Sequence, residues 1–222
     1  MNTIENLISL DTPSGTATSI KLLVLLTLLS LAPSLLILMT CFTRVVVVLS
    51  FVRSALGTQQ TPPNQLLVGL ALFITLFVMS PVLSELNTTA LKPYMADKIS
   101  QDEAFDKAGD TMKRFMSKHT RTNDLELFLK YGNYEKPEKI EDIPLVALVP
   151  AYAISELKTA FQIGFMIFIP FLVIDMVVSS VLMSMGMMML PPVMIALPFK
   201  LLLFILVDGW HLIVESLLVS MR

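Results

Sequence analysis

Four stretches of this chain run long and apolar, with few charges to interrupt them. They cover about residues 20–52, 66–84, 145–185 and 193–219. Each is long enough to cross roughly 30 Å of hydrocarbon as a helix. Lys21, Pro33 and Arg44 interrupt the first, and Pro81 lies near the end of the second. Their connections differ. Residues 54–65 form a short polar turn with Gly57, Pro62 and Pro63, whereas residues 181–192 join the third and fourth stretches through five methionines, a glycine and a double proline.

Between the second and third stretches, residues 85–143 hold 10 of the 16 basic and 12 of the 18 acidic residues, which marks a solvated insert. Asp102 to His119 reads as an amphipathic helix with Phe105, Met112, Phe115 and Met116 on or near one face. Thr122 to Tyr131 reads as a second helix, started by an Asn or Asp cap. The pattern predicts an all-α membrane protein of about four long, partly broken helices arranged as hairpins. Its parts are a polar N-terminal segment (1–19), a first hairpin (20–84), an extracytoplasmic helical insert (85–143), and a second hairpin with the methionine loop (144–222). Arg53 and, deeper in, Arg44 border the first short loop, which places that loop in the cytoplasm by the positive-inside rule. The N-terminus, the insert and the C-terminus then lie outside.

Composition agrees with the membrane class. The chain has 222 residues, 55% hydrophobic and 15% charged, with a mean hydropathy of +0.73; a soluble domain carries roughly 25% charged residues. Residues 1–19 contain no Lys or Arg and no cleavage pattern, so the first apolar stretch is expected to stay in the mature protein. The single Cys41 excludes an intrachain disulfide and a multi-cysteine metal site. His119 and His211 share no ligand spacing, and a net charge of −2 gives no argument for nucleic acid. There is no Gly-rich phosphate loop, no His-Glu-x-x-His and no Gly-x-Ser-x-Gly. Asp208-Gly-Trp-His211 could set a base beside an acid, but the same spacing suits a structural polar contact. The expectation is a protein that is not an enzyme and uses no cofactor or metal.

Seven charges fall inside the apolar stretches: Arg44, Glu156, Lys158, Asp175, Lys200, Asp208 and Glu215. An ionised group at a bilayer centre costs roughly 2.5–3.5 kcal/mol on insertion scales, so they cannot all face lipid. Glu156 and Lys158 are two apart and point in different directions on a helix, so each needs a partner on another helix. Pro33, Pro81, Pro170 and Pro198 each remove a backbone hydrogen bond at membrane depth, tolerated only where protein or a wet cavity covers the freed carbonyl. Buried charges and broken helices together predict one wedge of a larger assembly.

The methionine loop, Gly186-Met-Met-Met-Leu-Pro-Pro192, reads three ways. Methionine is flexible and polarizable, so a cluster makes a deformable apolar surface suited to a gate. Thioethers also suit Cu(I), and a plain turn would accept the same residues.

Several runs together carry a resemblance. They are Met39-Thr-Cys-Phe-Thr-Arg44, Pro62-Pro-Asn-Gln-Leu-Leu-Val-Gly-Leu-Ala71, Ser155-Glu-Leu-Lys-Thr-Ala-Phe-Gln-Ile-Gly-Phe165, the methionine loop, and Ala196-Leu-Pro-Phe-Lys-Leu-Leu-Leu-Phe-Ile-Leu-Val-Asp-Gly-Trp210. From about Lys21 onward the chain resembles the P subunits of type III export gates, the FliP family with its virulence-system relatives. Residues 1–19 match worst, and many relatives carry a cleavable signal there. The resemblance implies a pentameric ring of this chain in the cell (inner) membrane. With Q and R subunits and other export components, that ring sits in the flagellar basal body and passes unfolded polypeptides. It implies a pore gasket at Met187, Met188 and Met189, with Gly186, Pro191 and Pro192 setting the loop. It further implies that Glu156, Lys158, Asp175, Lys200 and Asp208 form intersubunit and interhelix pairs, and that the helices are raised out of the bilayer plane. A virulence-type gate subunit and a methionine-rich metal transporter are the alternatives.

Overall fold

The structure, a computed structural model, describes residues 22–221 apart from 24, 25, 28, 32, 36, 59 and 188. The chain divides into two compact units after Ile37. In the first, the described residues from 22 to 37 are helical, and Leu22, Leu23, Leu26 and Leu29 are exposed.

The second unit, Leu38–Arg222, contains only helical elements among its described residues. They are α1 (Phe42–Ala55), α2 (Asn64–Leu86), a π-turn (Asn87–Leu91), α3 (Lys92–Met95), α4 (Gln101–His119), α5 (Thr122–Tyr131), α6 (Leu145–Ser184), α7 (Pro192–Leu206) and α8 (Gly209–Val219). Helix α1 is the centre: it packs on both α2 and α6, and its Val45, Val48, Leu49 and Val52 are wholly buried at i, i+3, i+4, i+7 spacing. Gly164 of α6 makes this approach possible, because a Cβ there would sit 2.5 Å from the Phe51 ring. Small residues let apolar helices pack this closely.

Two described helical runs are long and apolar enough to span a membrane: Asn64–Met95, of 32 residues, and α6, of 40. The bent pair α7–α8 makes a third if counted as one span. The hydropathy pattern predicts four. The first of these includes residues outside those described, and the fourth bends by 64° between α7 and α8. That break falls at Asp208, which takes a left-handed φ of 49°, and not at Pro198, which lies inside α7. Helices α2 and α6 likewise continue through Pro81, Pro150 and Pro170.

The insert forms the two helices its periodicity predicts. Ser100 caps α4 by accepting the Glu103 amide at 3.2 Å, with Asp102 and Glu103 in the first turn and Lys118 and His119 in the last, favourable ends for the helix dipole. Met116 is wholly buried against Ile143, Leu148 and Tyr152, with Met112 and Phe115 half-buried beside it. Phe105 is exposed. Helix α5 starts at Thr122, yet Arg121 occupies its N-cap and makes no side-chain cap bond. The expected Asp cap fails because Asp124 is engaged elsewhere: its Oδ2 accepts from Ser155 Oγ and from the Arg121 guanidinium, both at 2.6 Å. That bond, with Ser155 also accepting the Arg121 amide at 3.0 Å, fastens the insert to α6.

Candidate functional site

Helix α1 brings Arg44 into the core, and α6 brings Glu156 to meet it. The guanidinium is bidentate on the carboxylate, through Nε to Oε2 at 2.8 Å and through Nη2 to Oε1. Its Nη1 donates to the Ser220 carbonyl at 2.6 Å and to Ser220 Oγ at 3.2 Å, so the same side chain holds the end of α8. Arg44 is 3% exposed and Glu156 1%. A fork-to-fork pair of this kind offsets burial only while both partners are present.

A second pair closes the other end of α1. Lys200 of α7 donates to Asp175 Oδ2 of α6 at 2.6 Å and to the Ala55 carbonyl, the last residue of α1, at 3.1 Å. An ammonium suits a helix C-terminus, whose final carbonyls have no partner within the helix. Both pairs are interhelical and lie within one copy of the chain.

Lys158, Asp208 and Glu215 are exposed, and among the described residues none of them forms an ion pair. Asp208 and His211 make no hydrogen bond to each other, so the acid–base reading of that motif finds no geometry. Among the described residues no cluster of His, Cys, Asp or Glu is arranged to hold a metal. Sequence reasoning missed Ser220 at the Arg44 site and the Asp124–Ser155 fastener. Neither has a signal in the pattern, since a serine's partner is set by tertiary approach.

His119 ends α4 with its ring on Phe115, centroids 5.1 Å apart. Burial, and then the positive charges of Arg44 and Lys118, push its pKa down from the usual 6.5 to about 4.

The methionine loop is a capped helical hairpin. The Met187 amide donates to the Leu182 carbonyl at 3.0 Å and the Gly186 amide to Met183 at 3.1 Å, the two bonds of a Schellman motif. Gly186 takes the φ of +73° that this cap requires. Pro191 is the N-cap of α7 and Pro192 its first residue, where a missing N–H costs nothing. At the tip Met189 is 98% exposed, with Met185, Met187 and Leu190 exposed beside it. Met188 lies outside the described residues.

Residues 25–217 match the model of the FliP family. The chain belongs to the FliP family. It is 66% identical over 220 residues to the flagellar biosynthetic protein FliP of Bacillus subtilis (strain 168), covering 99% of this chain and all of that protein. It is 51% identical to the FliP of Aquifex aeolicus (strain VF5), over 91% of this chain and 85% of that one. The FliP of Borreliella burgdorferi is 46% identical over 93% of this chain and 83% of its own length. FliP-family membership extends across both ion pairs and the methionine hairpin, since the matched residues include Arg44, Glu156, Asp175, Lys200 and 186–192.

Proposed function

We propose that this chain is a pore-forming subunit of the flagellar type III export gate. About five copies form a ring which, with Q and R subunits in the cell membrane, passes unfolded flagellar subunits. Membership of the FliP family supports the export-gate role. Identity to proteins named for flagellar biosynthesis favours the flagellar system over a virulence one.

The observation that carries the pore is the methionine hairpin. A helix cap closed by two backbone hydrogen bonds presents an almost fully exposed methionine at its tip. Exposed apolar tips are poorly suited to water, and one chain has too few helices to enclose a polypeptide. Repeated around an axis, the tips make a narrow apolar constriction that excludes ions by dewetting. Thioether chains yield to varied side chains without selecting among them. Gly186, Pro191 and Pro192 fix where the tip points, and Met187, Met188 and Met189 form the gasket. The metal-transporter reading has less support, because the one cysteine, Cys41, is buried at the start of α1 beside the Arg44 site and away from the loop in sequence.

The test replaces Met187, Met188 and Met189 together by Ala. Assembly with partner subunits should persist while resting ion conductance of the membrane rises. Unchanged conductance in an assembled triple variant would remove the gasket from the proposal.

A further inference from the structure

Of the seven charges in the apolar helices, four are satisfied inside the chain and three are not. The three left over carry both signs: Lys158 on α6, and Asp208 and Glu215 at and on α8. Their directions differ. Lys158 follows Glu156 by two residues, about 200° around the helix. Glu156 points to Arg44, so Lys158 points outward, in an exposed stripe with Ile154, Leu157, Phe161 and Phe165. One flank of α6 is taken by α1, through Gly164 on Phe51. Another is taken by α8, whose Ser216 shares a cavity wall with Ile163, Met166 and Ile167. Phe161 of the same stripe meets the Phe51 ring of α1 edge-on, and Ser155, about 60° to the other side, holds Asp124 of α5, so Lys158 stands on the outward face left between α1 and α5.

Glu215 stands on the opposite kind of surface. Helix α8 turns Gly209, Ile213 and Leu217 inward. Glu215 is two residues from both Ile213 and Leu217, again about 200° away, so it projects from the outer face with Leu212 and Val219. Height selects Glu215 over Asp208. Arg44 holds Ser220 level with Glu156, next to Lys158. Glu215 is five residues from Ser220, about 7.5 Å, and Asp208 is twelve, about 18 Å.

A cation in one apolar face and an anion in another, offset along the helices by a turn or two, lie within reach of long side chains and complement each other between two copies of one chain. Such a head-to-tail contact closes into a ring when its rotation allows. We propose that Lys158 of one copy pairs with Glu215 of the next. The pair rests on the ring reading above and names the contact that would build it.

The test is a charge exchange in the full chain, with ring assembly read by native mass spectrometry in detergent. Lys158→Glu alone and Glu215→Lys alone should each lower the assembled fraction ~tenfold, since each sets like charges together. The double exchange should restore it. A second measurement avoids charge reversal. With Cys41 replaced by Ala, differently tagged copies carrying Lys158→Cys and Glu215→Cys are produced together and oxidised. A disulfide should join the two tags, and neither variant alone should give one. A wild-type ring with no rescue and no cross-link overturns the pair and leaves the ring standing. Lys158→Glu without loss of assembly also overturns it, assigning Lys158 to lipid headgroups or another subunit. A wild-type chain that never oligomerises overturns pair and ring together.

Discussion

The two halves of α6 are both apolar but differ in make-up and in fate: 145–164 carries four alanines, Glu156 and Lys158, whereas 165–184 has no alanine, three methionines and Asp175 as its one charge. Eight of its ten buried residues lie in the first twenty positions, 145–164, and only Phe171 and Leu182 lie in the second twenty. The first half is closed in by α1, α4 and α5, and its charge is locked to Arg44. The second half exposes Val173, Met176, Val177, Val181 and Met183, and with α7 it walls an open apolar cavity of about 480 Å³. The more apolar half is thus the one that the chain leaves uncovered. Closure is dense around Glu156, Ser155 and the close-packing Gly164, whereas in the second half the Asp175–Lys200 pair is the one charged tie and a long apolar face is left for other molecules.

That contrast can be broken most sharply at its charged end. Glu156→Ala leaves the Arg44 guanidinium buried without its carboxylate and should cost on the order of 3–5 kcal/mol. Met176→Ala, in the exposed half, should stay within about 0.5 kcal/mol for the isolated chain. Denaturation of both variants in detergent, followed by far-ultraviolet circular dichroism, compares them directly. Equal losses would mean that the two halves are equally self-supporting.

Glycines sharpen the comparison with smaller effects. Gly164→Leu drives a side chain into Phe51 and should destabilise by about 1–3 kcal/mol through overpacking. Gly186→Ala meets no neighbour but strains the left-handed cap, at roughly 1–2 kcal/mol. Thermal melts should show Gly164→Leu lowering the whole-chain transition, while Gly186→Ala should chiefly alter hydrogen exchange at 182–187.

A further effect belongs to pH. His119 is neutral in the folded insert, with a pKa of about 4 against 6.5 when unfolded. Because the folded value is depressed, the unfolded chain binds the extra proton first, so stability is lost as pH falls from about 6.5 towards 4. Hydrogen exchange at α4 should quicken over that range, and His119→Phe should flatten the change. An identical profile in the variant would assign it to carboxylates instead.

Much of the architecture can be read from residues. Insert helices follow from the Asp102–His119 and Thr122–Tyr131 periodicity, and the need for interhelical partners follows from the price of charge in lipid. Partner identity does not. Nothing in the local pattern joins Arg44 to Glu156 and Ser220, because a pair 112 or 176 residues apart is decided by how α1 threads between α2 and α6. Helix ends are hard to read for a related reason: the fourth stretch breaks at a left-handed Asp208, while Pro81 and Pro170 are carried within helices. The methionine loop is legible as chemistry, and its sharp cap is visible in Gly186 and the two prolines.

Arg44 imposes an order on how the chain can be finished. Its carboxylate partner is 112 residues further along and its Ser220 partner 176 residues further. At 5–20 residues per second of synthesis, that is roughly 6–22 s and 9–35 s of waiting. During that interval α1 carries a naked cation on what will become its most enclosed surface. It can be shielded by water, headgroups or a helper protein, but it cannot yet be enclosed. Even after Glu156 has arrived, the Nη1 edge of the guanidinium waits for the Ser220 carbonyl and hydroxyl, so the contact that completes the seal is the one made last.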